Sequence, residues 1–164
     1  MPFNGLLMFF VLSPFRPFAI IVSRPATALR AQCSSLPMND LPSALAAFVE
    51  LFNRGAFWES HEALETEWRR TRSPFYHGLI LYASAWVHYQ RGNRHGIIAQ
   101  LDKADPLLRD HQPGYLGLDL GAIVADGARL RLAAEKESYT GLSPRILLSD
   151  DLRKGSEPEL RPTD

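Results

Sequence analysis

From Leu41 onward, apolar residues return at three- and four-residue steps, the period of a helix with one buried face. Leu41, Leu45, Phe48 and Phe52 mark the first such segment. Asn39 or Asp40 can cap it, and Pro42 suits a first helical turn, where a missing N–H costs nothing. Asn53-Arg54-Gly55 stops it, with the glycine free to take the left-handed conformation that ends helices. A second segment starts almost at once at Phe57, so the two are predicted to form an antiparallel hairpin. It ends on Arg69-Arg70-Thr71-Arg72, where positive charge complements the helix macrodipole. Ser73-Pro74 reads as a cap and a first helical residue, and the third helix is predicted to run to about Gln90. Its apolar face holds Phe75, Leu79, Tyr82, Trp86 and Tyr89, and His77, Leu81, Ser84 and His88 form a second stripe.

Gly92-Asn93 breaks the pattern, and a fourth helix from about Arg94 places Ile97, Leu101, Ala104 and Leu108 on one side. Pro106 has no N–H for the helical ladder, which predicts a kink or a tightened last turn. Asp110 to Gly114 is a connecting turn. A fifth helix is predicted over Tyr115 to Lys136, with Leu116, Leu120, Ile123, Gly127, Leu130 and Ala134 in phase. No internal repeat and no strand alternation compete with this reading. The fold class is therefore all-α: a single compact bundle of about five helices with an irregular leader and tail.

The ends differ in composition from the bundle. Residues 1–37 contain no Asp or Glu, carry Arg16, Arg24 and Arg30, and have prolines at 2, 14, 17, 25 and 37. The apolar run from Gly5 to Leu12 is far shorter than the roughly 20 residues of a membrane-spanning helix, so no membrane span is expected. A secretory signal would need a positive start, which is missing here. A transit peptide would account for the arginines, the serines and the absent acids; an over-long start would place the true first residue at Met38. The expected organisation is a leader at 1–37, a helical domain at 38–148 and a disordered tail at 149–164. Within that domain, Pro144 to Leu148 is an extended strip able to dock on the bundle. Placement is expected to be cytoplasmic, or in an organelle if the leader is a transit peptide.

Charge narrows the function classes. Eighteen basic residues balance eighteen acidic ones. A nucleic-acid binder needs a basic excess for its phosphate contacts, so no nucleic-acid partner is expected. The single cysteine, Cys33, allows neither an intrachain disulfide nor an all-cysteine metal site. There is no Gly-x-Ser-x-Gly elbow and no glycine-rich phosphate loop.

Candidate chemistry gathers on the second helix, in Phe57-Trp58-Glu59-Ser60-His61-Glu62-Ala63-Leu64-Glu65-Thr66-Glu67-Trp68. At about 100° per residue, Phe57, His61, Leu64 and Trp68 share a narrow face. Glu65 lies one turn from His61, and Glu62 lies three residues before Glu65. The candidate polar cluster is thus His61, Glu62 and Glu65 with Trp68, joined by His77 or His88 across the groove to the third helix. His77 and His88 stand about 16 Å apart along their helix, so one small ion cannot take both.

With those residues in place, the chain resembles a small helical family known as domain of unknown function 309. The resemblance rests on Phe52-Asn53, on Glu59-Ser60-His61-Glu62-x-x-Glu65-x-x-Trp68, on Gly78-Leu79-Ile80, on His88 and on Gly92-Asn93. The stretch Tyr115-Leu116-Gly117-Leu118-Asp119 is similar too. What the resemblance implies is a compact all-helical fold without an assigned biochemical role. The family usually shows Gln-Gly-Leu-Ile-Gln in the third helix, and here His77 and Leu81 stand in place of the two glutamines.

Three uses of the cluster compete. As a metal site, His61 and Glu65 have the one-turn spacing that lets two ligands share a divalent ion. A zincin would need a second histidine at position 65, and a ferritin-like centre needs Glu-x-x-His on two helices, which this chain lacks. As a structural element, His61 and Glu65 would satisfy each other inside the bundle. As acid–base equipment, Glu62 or Glu65 would act as general base with His61 in a hydrolase, although no nucleophile can be assigned and the catalytic residues stay unknown. The leading expectation is a small interaction or scaffold protein with a structural His–Glu cluster. The alternative is a metal-binding protein or metal-dependent hydrolase using His61, Glu62 and Glu65. No cofactor beyond a divalent metal ion is implied, and homo-oligomerisation is open. Trp58, Trp68 and Trp86 are expected as core or rim packing. Asp119 and Asp126 are expected on a similar face of the fifth helix, facing solvent or paired with arginine.

Overall fold

The computed structural model describes residues 41–153 together with 155 and 157. The leader, Cys33, the caps assigned to Asn39 and Asp40, and most of the tail lie outside the described residues. Five helices follow one another: α1 (Ser43–Asn53), α2 (Phe57–Thr71), α3 (Pro74–Gln90), α4 (Arg94–Arg109) and α5 (Leu120–Lys136). None of them is long and apolar enough to cross a membrane.

The local signals act at most ends. Pro42 sits in the capping position, one residue earlier than expected, and its carbonyl accepts from the Ala46 N–H at 2.9 Å. Leu41 therefore precedes α1. The helix closes with Gly55 at φ 79°, its N–H on the Phe52 carbonyl and the Ala56 N–H on the Leu51 carbonyl. That is the paired closure a left-handed glycine makes possible. Ser73 Oγ accepts from the Tyr76 N–H and Asn93 Oδ1 from the Gly96 N–H, so each caps the helix that follows it. α4 runs on through Pro106 to Arg109.

α3 is the central element. It packs against α2 on one side and α4 on the other, and Phe75, Tyr76, Leu79, Ile80, Tyr82, Ala83, Ala85, Trp86 and Val87 are all buried. Rings tie three helices together: Phe52 lies 4.9 Å from Phe57 and 5.3 Å from Tyr82, and Phe57 lies 5.7 Å from Trp86. Burying such side chains contributes roughly 1.5–3 kcal/mol each. Gly78 permits the close approach of α4, since a Cβ there would sit 2.9 Å from Leu108 Cδ2.

The entry to the fifth helix differs from the prediction. Gly114–Tyr115 (β1) pairs antiparallel with Leu118–Asp119 (β2), and α5 starts only at Leu120. Leu116 at φ 50° and Gly117 at φ 82° form the two-residue turn. Two positive φ angles in succession match the right-handed twist of a hairpin and cannot belong to a helix. Leu116 is in phase by spacing alone.

Beyond α5 the chain docks as an extended strip, as the sequence suggested. Ile146 is buried, Leu118 bridges Leu148, and the Asp119 N–H reaches the Leu147 carbonyl. The strip continues past Leu148. The Ser149 N–H donates to the Gly117 carbonyl at 2.8 Å, and the Gly117 N–H donates to the Leu152 carbonyl at 3.0 Å. Asn53, at the end of α1, holds the strip from the other side. Its Nδ2 donates to the Ile146 carbonyl at 3.0 Å and its Oδ1 accepts from the Ile146 N–H at 2.8 Å.

Candidate functional site

The direction of α2 is set by what it buries. Phe57, Ser60 and Leu64 point into the bundle, and Ser60 Oγ satisfies itself on the Phe57 carbonyl at 2.8 Å. That registration leaves Trp58, Glu62, Glu65 and Arg69 on an outward stripe at three- and four-residue steps, with His61 and Trp68 along its margin. The narrow face predicted for Phe57, His61, Leu64 and Trp68 is therefore split: Phe57 and Leu64 are core, and His61 and Trp68 are half-buried.

His61, Glu62 and Glu65 come together. One ligand-capable atom from each lies within 4.8 Å of the others. The side chains keep 20%, 49% and 24% of their surface in solvent. Their pairing departs from the expected His61–Glu65 bond. His61 Nδ1 lies 3.2 Å from Glu62 Oε1, while Glu65 Oε1 accepts from Arg69 Nη2 at 2.6 Å. The physical reason is reach: long, solvent-facing side chains settle on the nearest exposed partner, and Arg69 sits one turn along the same stripe.

Aromatic rings frame the group. The His61 ring stacks on Trp58 at 5.4 Å with only 10° between planes, and the Arg91 guanidinium lies 5.6 Å from the Trp58 centroid. Toward the other end of α2, Trp68 stacks on His77 at 4.6 Å, and Arg72 lies 5.3 Å from the Trp68 centroid. Trp86 is core, as expected; Trp58 remains half exposed.

The third-helix histidines have other partners. His77 belongs to the Trp68 stack, where burial, with Lys103 nearby, lowers its pKa. His88, at the far end of α3, lies 3.1 Å from Asn93 Nδ2, an amide that can only donate, so Nδ1 accepts. Its ring fills the space that Gly96 leaves, and a Cβ at position 96 would collide with it. Among the described residues, the metal-capable group is thus confined to α2. Asp119 and Asp126 are likewise separated: Asp119 Oδ1 caps α5 on the Ala122 N–H at 2.9 Å, while Asp126 is buried and ion-paired with Arg129.

Sequence reasoning missed Asn53 as a clamp. Its place beside Phe52 in the shared motif was the available signal, but the bond partner lies 93 residues away.

In chemical terms the site is one imidazole and two carboxylates on a single stretch of helix, open to solvent on one side. Such a set can hold a divalent ion and leave coordination positions free. The fold and site define a small all-helical protein with a surface His–Glu–Glu group. Residues 45–99 match the model of the family described as Domain of unknown function (DUF309), and over that stretch the chain is similar to it. The match takes in the whole of α2 and α3. No curated protein matches the chain significantly.

Proposed function

We propose that this protein is a small helical binding protein whose ligand face is the outward stripe of α2, where His61, Glu62 and Glu65 hold a divalent cation. The observation that carries the reading is the convergence of their three ligand atoms within 4.8 Å. Location supports it over a purely structural cluster. A structural His–Glu pair earns its place by being buried and mutually satisfied, whereas these residues make solvent-facing pairs worth about 0–1 kcal/mol each. A cation can displace Arg69 from Glu65 at small cost. Imidazole with carboxylates suits zinc, manganese or iron, and no thiolate is available on this face.

Isothermal titration of the purified protein with Zn²⁺ and with Mn²⁺ tests this. One-to-one binding is expected, weakened at least tenfold in His61→Ala and in Glu65→Gln. Titrations that stay silent, or that are the same in His61→Ala, would sink the reading. A metal-free interaction surface is the second reading. What favours it is Trp58, 49% exposed, with the Arg91 guanidinium over its ring. A silent titration of well-folded protein selects it.

A further inference from the structure

Away from α2, a small cavity of about 130 Å³ lies between α3, α5 and the segment that leads to the docked strip. Trp86 of α3, Asp126 and Arg129 of α5, and residues 141–144 line it. The lining brings a buried donor together with a buried acceptor. Trp86 is 1% exposed, and its indole Nε1, which can only donate, has no hydrogen-bond partner among the described residues. The Tyr82 ring stands edge-on to the indole at 6.4 Å, and the N–H bears on the Tyr82 hydroxyl without making an aligned bond to it. Asp126 is 8% exposed. Its Oδ1 takes Arg129, while its Oδ2 has no partner among the described residues. A buried donor without an acceptor is uncommon in folded proteins and calls for a partner.

The outer wall can give way to a ligand. Tyr139 packs on Tyr89 at 5.5 Å, and Leu142 lies partly buried against the core. Among the described residues, however, no backbone hydrogen bond ties 139–145 to a helix. Exposed Ser143 and the Arg129 side chain, 67% exposed, mark the mouth.

Charge decides what fits. Asp126 and Arg129 cancel, so the lining is neutral as a whole. An anion that took Arg129 would leave the Asp126 carboxylate buried without its counter-ion, which is strongly destabilising. A cation would gain nothing from the indole donor. A neutral group with an acceptor beside a donor serves both partners, and a primary carboxamide carries that pair on one rigid plane. Water can also bridge the two groups. An amide reproduces those bonds while its apolar body covers Leu142 and Pro144, so displacing the water is favourable. We infer that this cavity binds a small neutral molecule through a primary carboxamide, its oxygen on Trp86 Nε1–H and its N–H on Asp126 Oδ2.

The test uses the full chain and two probes of one shape, isobutyramide and isobutyrate, followed through the Trp86 indole N–H in nitrogen-15 correlated NMR spectra. A saturable indole shift with isobutyramide is expected, at the millimolar affinity that suits so small a ligand, with isobutyrate about fivefold weaker or worse. Asp126→Asn keeps the shape, removes the negative charge and frees Arg129, so the preference for the amide should vanish or reverse. Ser143→Phe, at the exposed rim, should block the amide without touching the core. The inference is overturned if isobutyramide gives no saturable shift, the result expected of a cavity that holds water alone. It also falls if the parent binds both probes alike, if Asp126→Asn keeps the parent's preference, or if Ser143→Phe binds the amide as well as the parent does.

Discussion

The outward stripe of α2 and the joint between α1 and the C-terminal strip are opposites. The stripe is the most conspicuous chemistry in the sequence, with a histidine, two glutamates and two tryptophans inside one short segment. Yet its polar bonds are short-range and exposed: His61 to its neighbour Glu62, Glu65 to Arg69 one turn on. The joint rests on one asparagine that the sequence marks only as part of a helix stop and of a short motif. There, Asn53 engages both the carbonyl and the N–H of Ile146, a residue whose side chain is buried. The salient residues here make exposed, short-range bonds, and an inconspicuous one ties distant parts of the chain together. Polar groups stabilise a fold when their bonds close a long loop over a dry contact, and they serve ligands when their bonds can be exchanged for little.

That contrast predicts a ranking of stabilities. The reference for a large effect is the ring cluster that both regions border. Phe52→Ala removes the side chain that touches Phe48, Phe57 and Tyr82, at an expected cost of about 3–5 kcal/mol. Urea unfolding followed by tryptophan fluorescence measures it. A loss under about 1 kcal/mol would mean the aromatic cluster is not the core that α3 organises.

Asn53→Ala comes next. It deletes two hydrogen bonds and leaves the Ile146 backbone to find water, for a loss of about 1–2 kcal/mol. The strip should also loosen locally, so faster amide exchange at Ile146 and at Ser149 is expected relative to α3. If exchange there matches the parent protein, the clamp is not what docks the strip.

His61→Ala and Glu65→Gln are expected at the low end, within about 0.5–1 kcal/mol of the parent. If either proves as costly as Phe52→Ala, the stripe is structural after all and the comparison collapses. The sharper form is a pair of measurements on the same variants, with stability nearly unchanged and Zn²⁺ affinity lost. Asn53→Ala should show the reverse.

How much of this was legible in the sequence follows the same division. Helix ends were legible where one residue acts on its own neighbours: Ser73 and Asn93 cap their helices, and Gly55 closes α1. The core faces of α3 and α4 followed from spacing. The hairpin before α5 was not legible, because a leucine at positive φ gives no sign of itself and Leu116 fits the helical period. On α2 the sequence placed His61, Glu62 and Glu65 close together but not their bonds, since exposed side chains choose among several partners within reach. The clamp at Asn53 depends on elements brought together by the whole fold. No window of sequence contains it.

The smallest effect separates the two ends of α2 by pH. His77 stacks on Trp68, and burial, with Lys103 nearby, holds its pKa below the usual histidine value of about 6.5. In the unfolded chain the ring returns to that value. Between the lowered folded pKa and 6.5, the unfolded state binds more protons, so stability rises with pH across that window. On acidification it is lost from about 6.5 downward and levels off once the folded ring is also protonated. Replacing the ring by an amide, His77→Gln, removes the titration and should flatten this part of the profile. Urea midpoints of both proteins between pH 5 and pH 7.5 decide it. A parent profile that is flat there, or one that His77→Gln leaves unchanged, would show that the Trp68 stack does not favour the neutral ring.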